Sequence, residues 1–143
     1  MSKKIVGIRT IEATKQISRK LKVPLGRSVH EYTRIRRIDY VPSIVETTYI
    51  DCEKYPDFSE HYTERIGMGY VFQNIYHKKQ SSGEERISVT YASENEAKML
   101  EIEQGAPLFF TSGVVKDEGD IPMTYYKQLI RSDLFKFVSI IEK

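Results

Sequence analysis

The 143-residue chain has one cysteine and three histidines, and no apolar run in it approaches the length needed to span a bilayer. The lone Cys52 can form no intrachain disulfide, which fits a reducing cytoplasm. His30, His61, His77 and Cys52 show neither zinc-ligand spacing nor a nucleophile motif, and Cys52 reads as a small buried side chain. No Gly-rich loop followed by lysine is there to cradle a phosphate, and Gly67-Met68-Gly69 alone is a weak substitute. A basic-then-apolar leader is also missing. These gaps leave no catalytic residue set, no metal and no cofactor to expect.

What remains is ordinary for a soluble globular domain: 40% hydrophobic and 29% charged residues, enough for one core and against disorder. The net charge of +2 hides an asymmetry. Residues 1–40 hold eleven Lys/Arg against three acids, so the basic end suits an anionic ligand, a nucleic acid, or only solvent. Ten tyrosines are scattered over strand-like segments, which suits core and rim positions better than base stacking.

Thr33–Tyr49, TRIRRIDYVPSIVETTY, reads as two strands separated by Asp39-Tyr40-Val41-Pro42. Side chains alternate along a strand, so Arg34 and Arg36 share one face and Arg37 takes the other. A turn centred near Val41 puts Arg36 opposite Glu46 and Arg34 opposite Thr48. Two guanidiniums beside a carboxylate make a site for a small polar anion. The same residues also suit a solvated face with one cross-strand ion pair, worth ~0.5 kcal/mol.

Along the rest of the chain, Lys4–Thr10 reads as a strand and Ala13–Leu21 as a helix stopped before Pro24. Asp51–Gly69 is the least regular stretch and the one expected to move most. Tyr70–Lys79 sets Val71, Phe72 and Ile75 at helical spacing, Ser81-Ser82-Gly83 ends it, and Glu84-Glu85 reads as a solvated loop. Arg86–Tyr91 is a strand. Ser93 and Glu96 then form a capping box that opens a helix to about Glu101. Pro107–Val115 and Pro122–Arg131 make a second hairpin around Lys116–Asp120, and Asp133–Ile141 is apolar enough to pack on the sheet.

The chain repeats itself. A shift of 79 lays Ile8 on Ile87, Ala13 on Ala92, Leu21 on Leu100, Val23 on Ile102, Gly26 on Gly105 and Ile35 on Val114. One further residue lays Pro42 on Pro122. Two strand–helix–strand–strand units sharing one sheet follow from this. Arg34 and Arg36 fall on Gly113 and Val115, so the architecture does not demand the arginine pair, and a ligand role gains weight. The repeat also bears on a rival reading. ATKQISRKLKVPLGRSVHEYTRIRR imitates a helix-turn-helix, yet its counterpart APLFFTSGVV has no helical period.

The ordered set Ala13…Leu21-Lys22-Val23…Gly26, Arg34-Ile35-Arg36…Asp39…Pro42…Glu46-Thr47-Thr48-Tyr49, Tyr55-Pro56-Asp57-Phe58 and Tyr70-Val71-Phe72-Gln73 is joined by Ala97…Leu100…Gly105-Ala106-Pro107-Leu108 and Arg131-Ser132-Asp133. Together, over about Val6 to Phe137, it resembles the UTRA domain, the effector-binding half of HutC-type regulators in the GntR superfamily. The resemblance implies an α+β, chorismate-lyase-like fold: six mostly antiparallel strands with flanking helices. It also implies a single cytoplasmic domain spanning 1–143, a homodimer, that binds a small anionic metabolite and reaches DNA only through a winged helix that this chain does not include. Such a chain is an excised or stand-alone effector domain rather than an enzyme. A chorismate-lyase-like enzyme and a ligand-free dimerisation module are the alternatives.

Carried over by position, the resemblance gives Arg34 and Arg36 a phosphate or carboxylate to hold, and Glu46 a ligand hydroxyl or amino group. The helix start Tyr70-Val71-Phe72 would offer backbone N–H groups to an anion. Thr124 and Tyr126 on the second hairpin complete the expected ligand-binding set. Tyr70 stands where the family often has serine, Thr124 where many members have an acid, and Ile130 where some have tyrosine. These departures count against an amino-sugar phosphate.

Overall fold

The 79-residue offset in sequence is also an offset in structure. In the computed structural model, which describes residues 2–134, the first copy runs β1 (Ser2–Glu12), α1 (Lys15–Leu21), β2 (Ser28–Ile38) and β3 (Val41–Asp51). After α2 (Phe58–His61) and α3 (Met68–Asn74), the second runs β4 (Gln80–Tyr91), α4 (Glu94–Leu100), β5 (Pro107–Asp117) and β6 (Pro122–Arg131). All six strands pair antiparallel in the order β1-β2-β3-β6-β5-β4. The copies meet at β3 and β6, so a pseudo-twofold runs through the middle of the sheet.

Local chemistry repeats with the fold. Thr14 caps α1 by accepting from Ile17 N at 3.3 Å, and Ser93 caps α4 by accepting from Glu96 N at 3.2 Å within a full capping box. Both helices stop on left-handed residues, Lys22 (φ 55°) and Glu101 (φ 56°). Gly26 and Gly105, at φ 82° and 85°, then return the chain, each donating its N–H to the alanine that precedes the helix.

Strand alternation divides the sheet into two faces. Val29, Tyr49, Val114 and Tyr125 pack with Ile17 and Leu21 of α1, while Ile35, Val45 and Leu108 pack with Ala97 and Leu100 of α4. The opposite face carries Tyr32 and Ile50, covered by Tyr55, Phe58, Tyr62, Val71 and Phe72.

Four expectations change. The Asp51–Gly69 connection is pinned rather than loose: Tyr55, Phe58 and Tyr62 are 2%, 0% and 3% exposed and interlock edge-on and tilted with Tyr32 and Phe72. Ser81-Ser82-Gly83 lies inside β4, because β5 continues far enough to pair with it. Gly83 permits this, since a Cβ there would sit 2.9 Å from the Val114 carbonyl oxygen. The first hairpin turns at Asp39-Tyr40, both left-handed at φ 51° and 67°, which is the type I′ geometry matched to strand twist. Pro42 sits in β3 beside a bulge, so the register differs by two: Arg34 faces Glu46, and Arg36 faces Ile44.

Beyond these four, Glu84-Glu85 lies in β4 rather than in a solvated loop, Cys52 is half-buried rather than buried, and α2 is not among the expected elements. The remaining strands and helices hold with changes at their ends. The basic segment that imitated a recognition helix is β2. The tail Asp133–Ile141 falls, beyond Leu134, outside the described residues.

Candidate ligand-binding cleft

Because the register slips by two and not by one, Arg34, Arg36 and Glu46 keep a common face. That face continues through Thr48 on β3 and Thr124, Tyr126 and Gln128 on β6 to form the floor of a cleft of about 500 Å³. The start of α3 roofs it with Gly67, Met68, Gly69, Phe72 and Gln73. Lys3, paired with Arg36 across β1 and β2, closes one side, and Glu85 of β4 closes the other. The aromatic core under α2 and α3 therefore fixes the height of the roof above the floor.

Glu46 is the electrostatic hub of the floor. Its carboxylate bridges Arg34 and also Arg36, at 3.4 Å, and accepts a hydrogen bond from Gln128 Nε2. Arg34 further donates to Tyr62 Oη at 3.3 Å and Thr48 Oγ1 at 3.5 Å. Even so, the buried Nε of Arg34 and the buried Nε of Arg36 have no hydrogen-bond partner among the described residues. Buried unpaired donors are costly. Burial, followed by the neighbouring Arg34, lowers the pKa of Arg36. Lys3 is lowered in the same order of causes, burial and then both arginines. The cations crowd one another, and an anion would relieve them.

Of the eight residues expected to bind ligand, Arg34, Arg36, Glu46, Phe72, Thr124 and Tyr126 come together in the cleft. Tyr70 and Val71 do not line it. The N-cap of α3 is Gly67, which has no side chain to announce it, so the first turn is Met68-Gly69-Tyr70. Tyr70 is 58% exposed and Val71 is fully buried in the aromatic core. Sequence reasoning missed Lys3, Gln128 and Glu85. Gln128 lies directly across β3–β6 from Glu46, a relation visible only once the two copies are joined.

A second polar group lies on α2. Asp57, Glu60 and His61 bring one potential ligand atom each within 4.8 Å of one another. Asp57 is already engaged by Tyr76 Oη and by His61 Nε2 at 3.2 Å, and these two bonds lower its pKa.

Comparison with known proteins agrees with this architecture. Residues 1–136 match the family model of the UTRA domain. The "Probable fructoselysine utilization operon transcriptional repressor" of Escherichia coli K12 is 31% identical over 104 residues, covering 73% of this chain and 43% of that protein. The HTH-type transcriptional repressor NagR of Bacillus subtilis is 20% identical over 140 residues, 98% of this chain and 57% of that protein. The chain thus spans about half the length of these relatives. Among solved structures, the effector domain of PhnF from Mycobacterium smegmatis superposes with a TM-score of 0.91 at 20% identity, covering 99% of this chain and 86% of that one. The C-terminal domain of Yurk from Bacillus subtilis gives 0.90 at 22% identity, with 94% and 92% covered. With a six-stranded antiparallel sheet, a two-copy topology and a family match that runs from residue 1 to 136, the chain belongs to the UTRA domain family.

Proposed function

We propose that this chain senses a small anionic metabolite, a sugar phosphate or a carboxylate-bearing compound, in the cleft under α3. It does so as the effector domain of a bacterial transcriptional regulator, without chemical change to the ligand. It pairs as a homodimer in the cytoplasm and passes the signal to a winged-helix DNA-binding domain belonging to a longer protein. The regulatory names of its relatives support this reading, as does the fact that the chain covers only part of their length. The observation that carries it is the pair of buried, unpartnered Nε donors of Arg34 and Arg36 in a cleft large enough for a metabolite.

The test is a thermal-shift screen with phosphorylated sugars and carboxylates on the natural chain and on Arg36→Ala. A ligand at ~100 times its Kd adds about 2.7 kcal/mol, several degrees for a domain of this size. The expected result is a shift in the natural chain that Arg36→Ala removes. Recovery of an altered product, or tight site-selective DNA binding by the chain alone, would overturn the proposal.

A further inference from the structure

Glu85 occupies the side of the cleft away from Lys3, and it is held there by an arrangement spanning three strands. Glu85 on β4, Gly113 on β5 and Tyr126 on β6 lie in line across the sheet. The Tyr126 ring passes over Gly113 and its hydroxyl donates to Glu85 Oε2. A Cβ on residue 113 would come within 2.6 Å of Tyr126 Oη and 2.7 Å of Cζ, so only glycine leaves the ring its path. Burial, then the bond to Glu85, raises the pKa of Tyr126 and keeps it a donor.

The pseudo-twofold shows what this arrangement replaces. The repeat lays Arg34 on Gly113, and with the one-residue slip it lays Glu46 on Tyr126. In the first copy those positions hold an arginine bridged to a carboxylate. In the second they hold a glycine and a tyrosine that present a carboxylate from the next strand. The two copies thus put opposite charges on opposite sides of one cleft. The two lining carboxylates also differ in partners. Glu46 is bridged by both arginines, whereas Glu85 has no ion pair among the described residues. Lys78, which also lines the cleft, is engaged with Asp117 at 3.9 Å.

We propose that Glu85 receives a cationic group of the metabolite, so that the ligand is dipolar: a phosphate or carboxylate at Arg34 and Arg36, and an ammonium at Glu85. This rests on the proposed function and narrows its ligand class. A carboxylate whose partner is a neutral phenol repels an anionic ligand unless the ligand brings positive charge of its own. A ligand hydroxyl would satisfy the remaining lone pairs but would leave that charge unbalanced.

Matched probes that differ by an amine provide the test: phosphoethanolamine against ethyl phosphate, glucosamine 6-phosphate against glucose 6-phosphate, and 6-aminohexanoate against hexanoate. Each is titrated by thermal shift and calorimetry into the natural chain, Glu85→Gln, Tyr126→Phe and Arg36→Ala. In at least one pair the aminated member should bind about tenfold tighter. Glu85→Gln should erase that preference, weakening the aminated member and, with the repulsion removed, tightening the plain anion, and Tyr126→Phe should reduce it. Arg36→Ala should weaken both members. If anions bind with no preference for the amine, or with a preference that survives Glu85→Gln, this inference falls and the proposed function stands. Should no anionic probe of either kind bind the natural chain, the proposed function falls and this inference with it.

Discussion

Arg34 and Glu46 face each other across the β2–β3 ladder, 5% and 4% exposed, as an ion pair taken almost wholly out of water. Arg36, two residues on, reaches the same carboxylate from a more open position, its side chain 29% exposed. One acid therefore serves two guanidiniums of unequal burial. A buried pair gives little net stability when intact but costs much when half of it is removed. Glu46→Ala should destabilise the fold by ~3 kcal/mol in urea unfolding, because it strands Arg34 and Arg36 beside Lys3. Arg36→Ala should cost under ~1 kcal/mol, since solvent screens that bridge. Equal losses from the two variants would mean that Glu46 is not the shared counter-charge. Inorganic phosphate should restore part of the Glu46→Ala loss, as a mobile replacement for the missing carboxylate.

Phe58 is fully buried and touches Tyr32, Tyr55, Tyr62, Phe72 and Tyr76. It is the stud on which the α2–α3 connection is fastened to the sheet. Phe58→Ala should cost 3–5 kcal/mol, roughly the range for a buried phenylalanine. More tellingly, amide exchange in residues 52–79 should quicken by a larger factor than in β5 and β6. Uniform quickening across the chain would show that the connection has no stability of its own to lose.

That connection marks where the sequence stops being legible. The repeat, the Ser93–Glu96 box and strand alternation are local signals, and they suffice for six strands, two of the helices and the shared face of Arg34, Arg36 and Glu46. Residues 51–69 carry many charges, one proline and two glycines and show no period, so their three buried aromatics are evident only once the sheet face beneath them exists. Register was hidden for a related reason. Asp39-Tyr40 lacks the glycine that usually announces a type I′ turn, while Pro42 offers a false one. Glu85 was hidden by Gly83, which reads as a loop breaker but serves as a point of close approach between β4 and β5.

The tyrosine core should make the protein sensitive to alkali. Burial pushes Tyr49 and Tyr55 up to about 12, with nearby Glu31 and Asp117 adding to it, respectively. Unfolded tyrosine ionises near 10.0, so these two contribute stability in full below that value and lose it as pH rises towards about 12. Phenolate absorbance should rise in two stages, the second coinciding with loss of far-ultraviolet ellipticity. A single stage near 10.0 in a chain that stays folded would show that these phenols are reached by water.

Lys3 carries two pH signals of opposite sign. Its pKa lies below the ordinary 10.5 because of burial, then Arg34, then Arg36. Between the lowered value and 10.5 the unfolded chain binds more protons than the folded one, so the Lys3 contribution to stability rises with pH. An anion in the cleft favours the ammonium form and raises that pKa again, so binding takes up a proton in the same window, and affinity falls as pH rises. Burial raises the pKa of Tyr126 in the cleft and of Tyr62, which accepts a hydrogen bond from Arg34, above the ordinary 10.0. Calorimetry of an anionic probe in two buffers of different ionisation heat should therefore reveal proton uptake by the natural chain on approaching 10.5, and none by Lys3→Met. Uptake that persists in Lys3→Met would place the responsible group elsewhere in the cleft. Loss of uptake with unchanged affinity at neutral pH would show that Lys3 senses the anion without holding it.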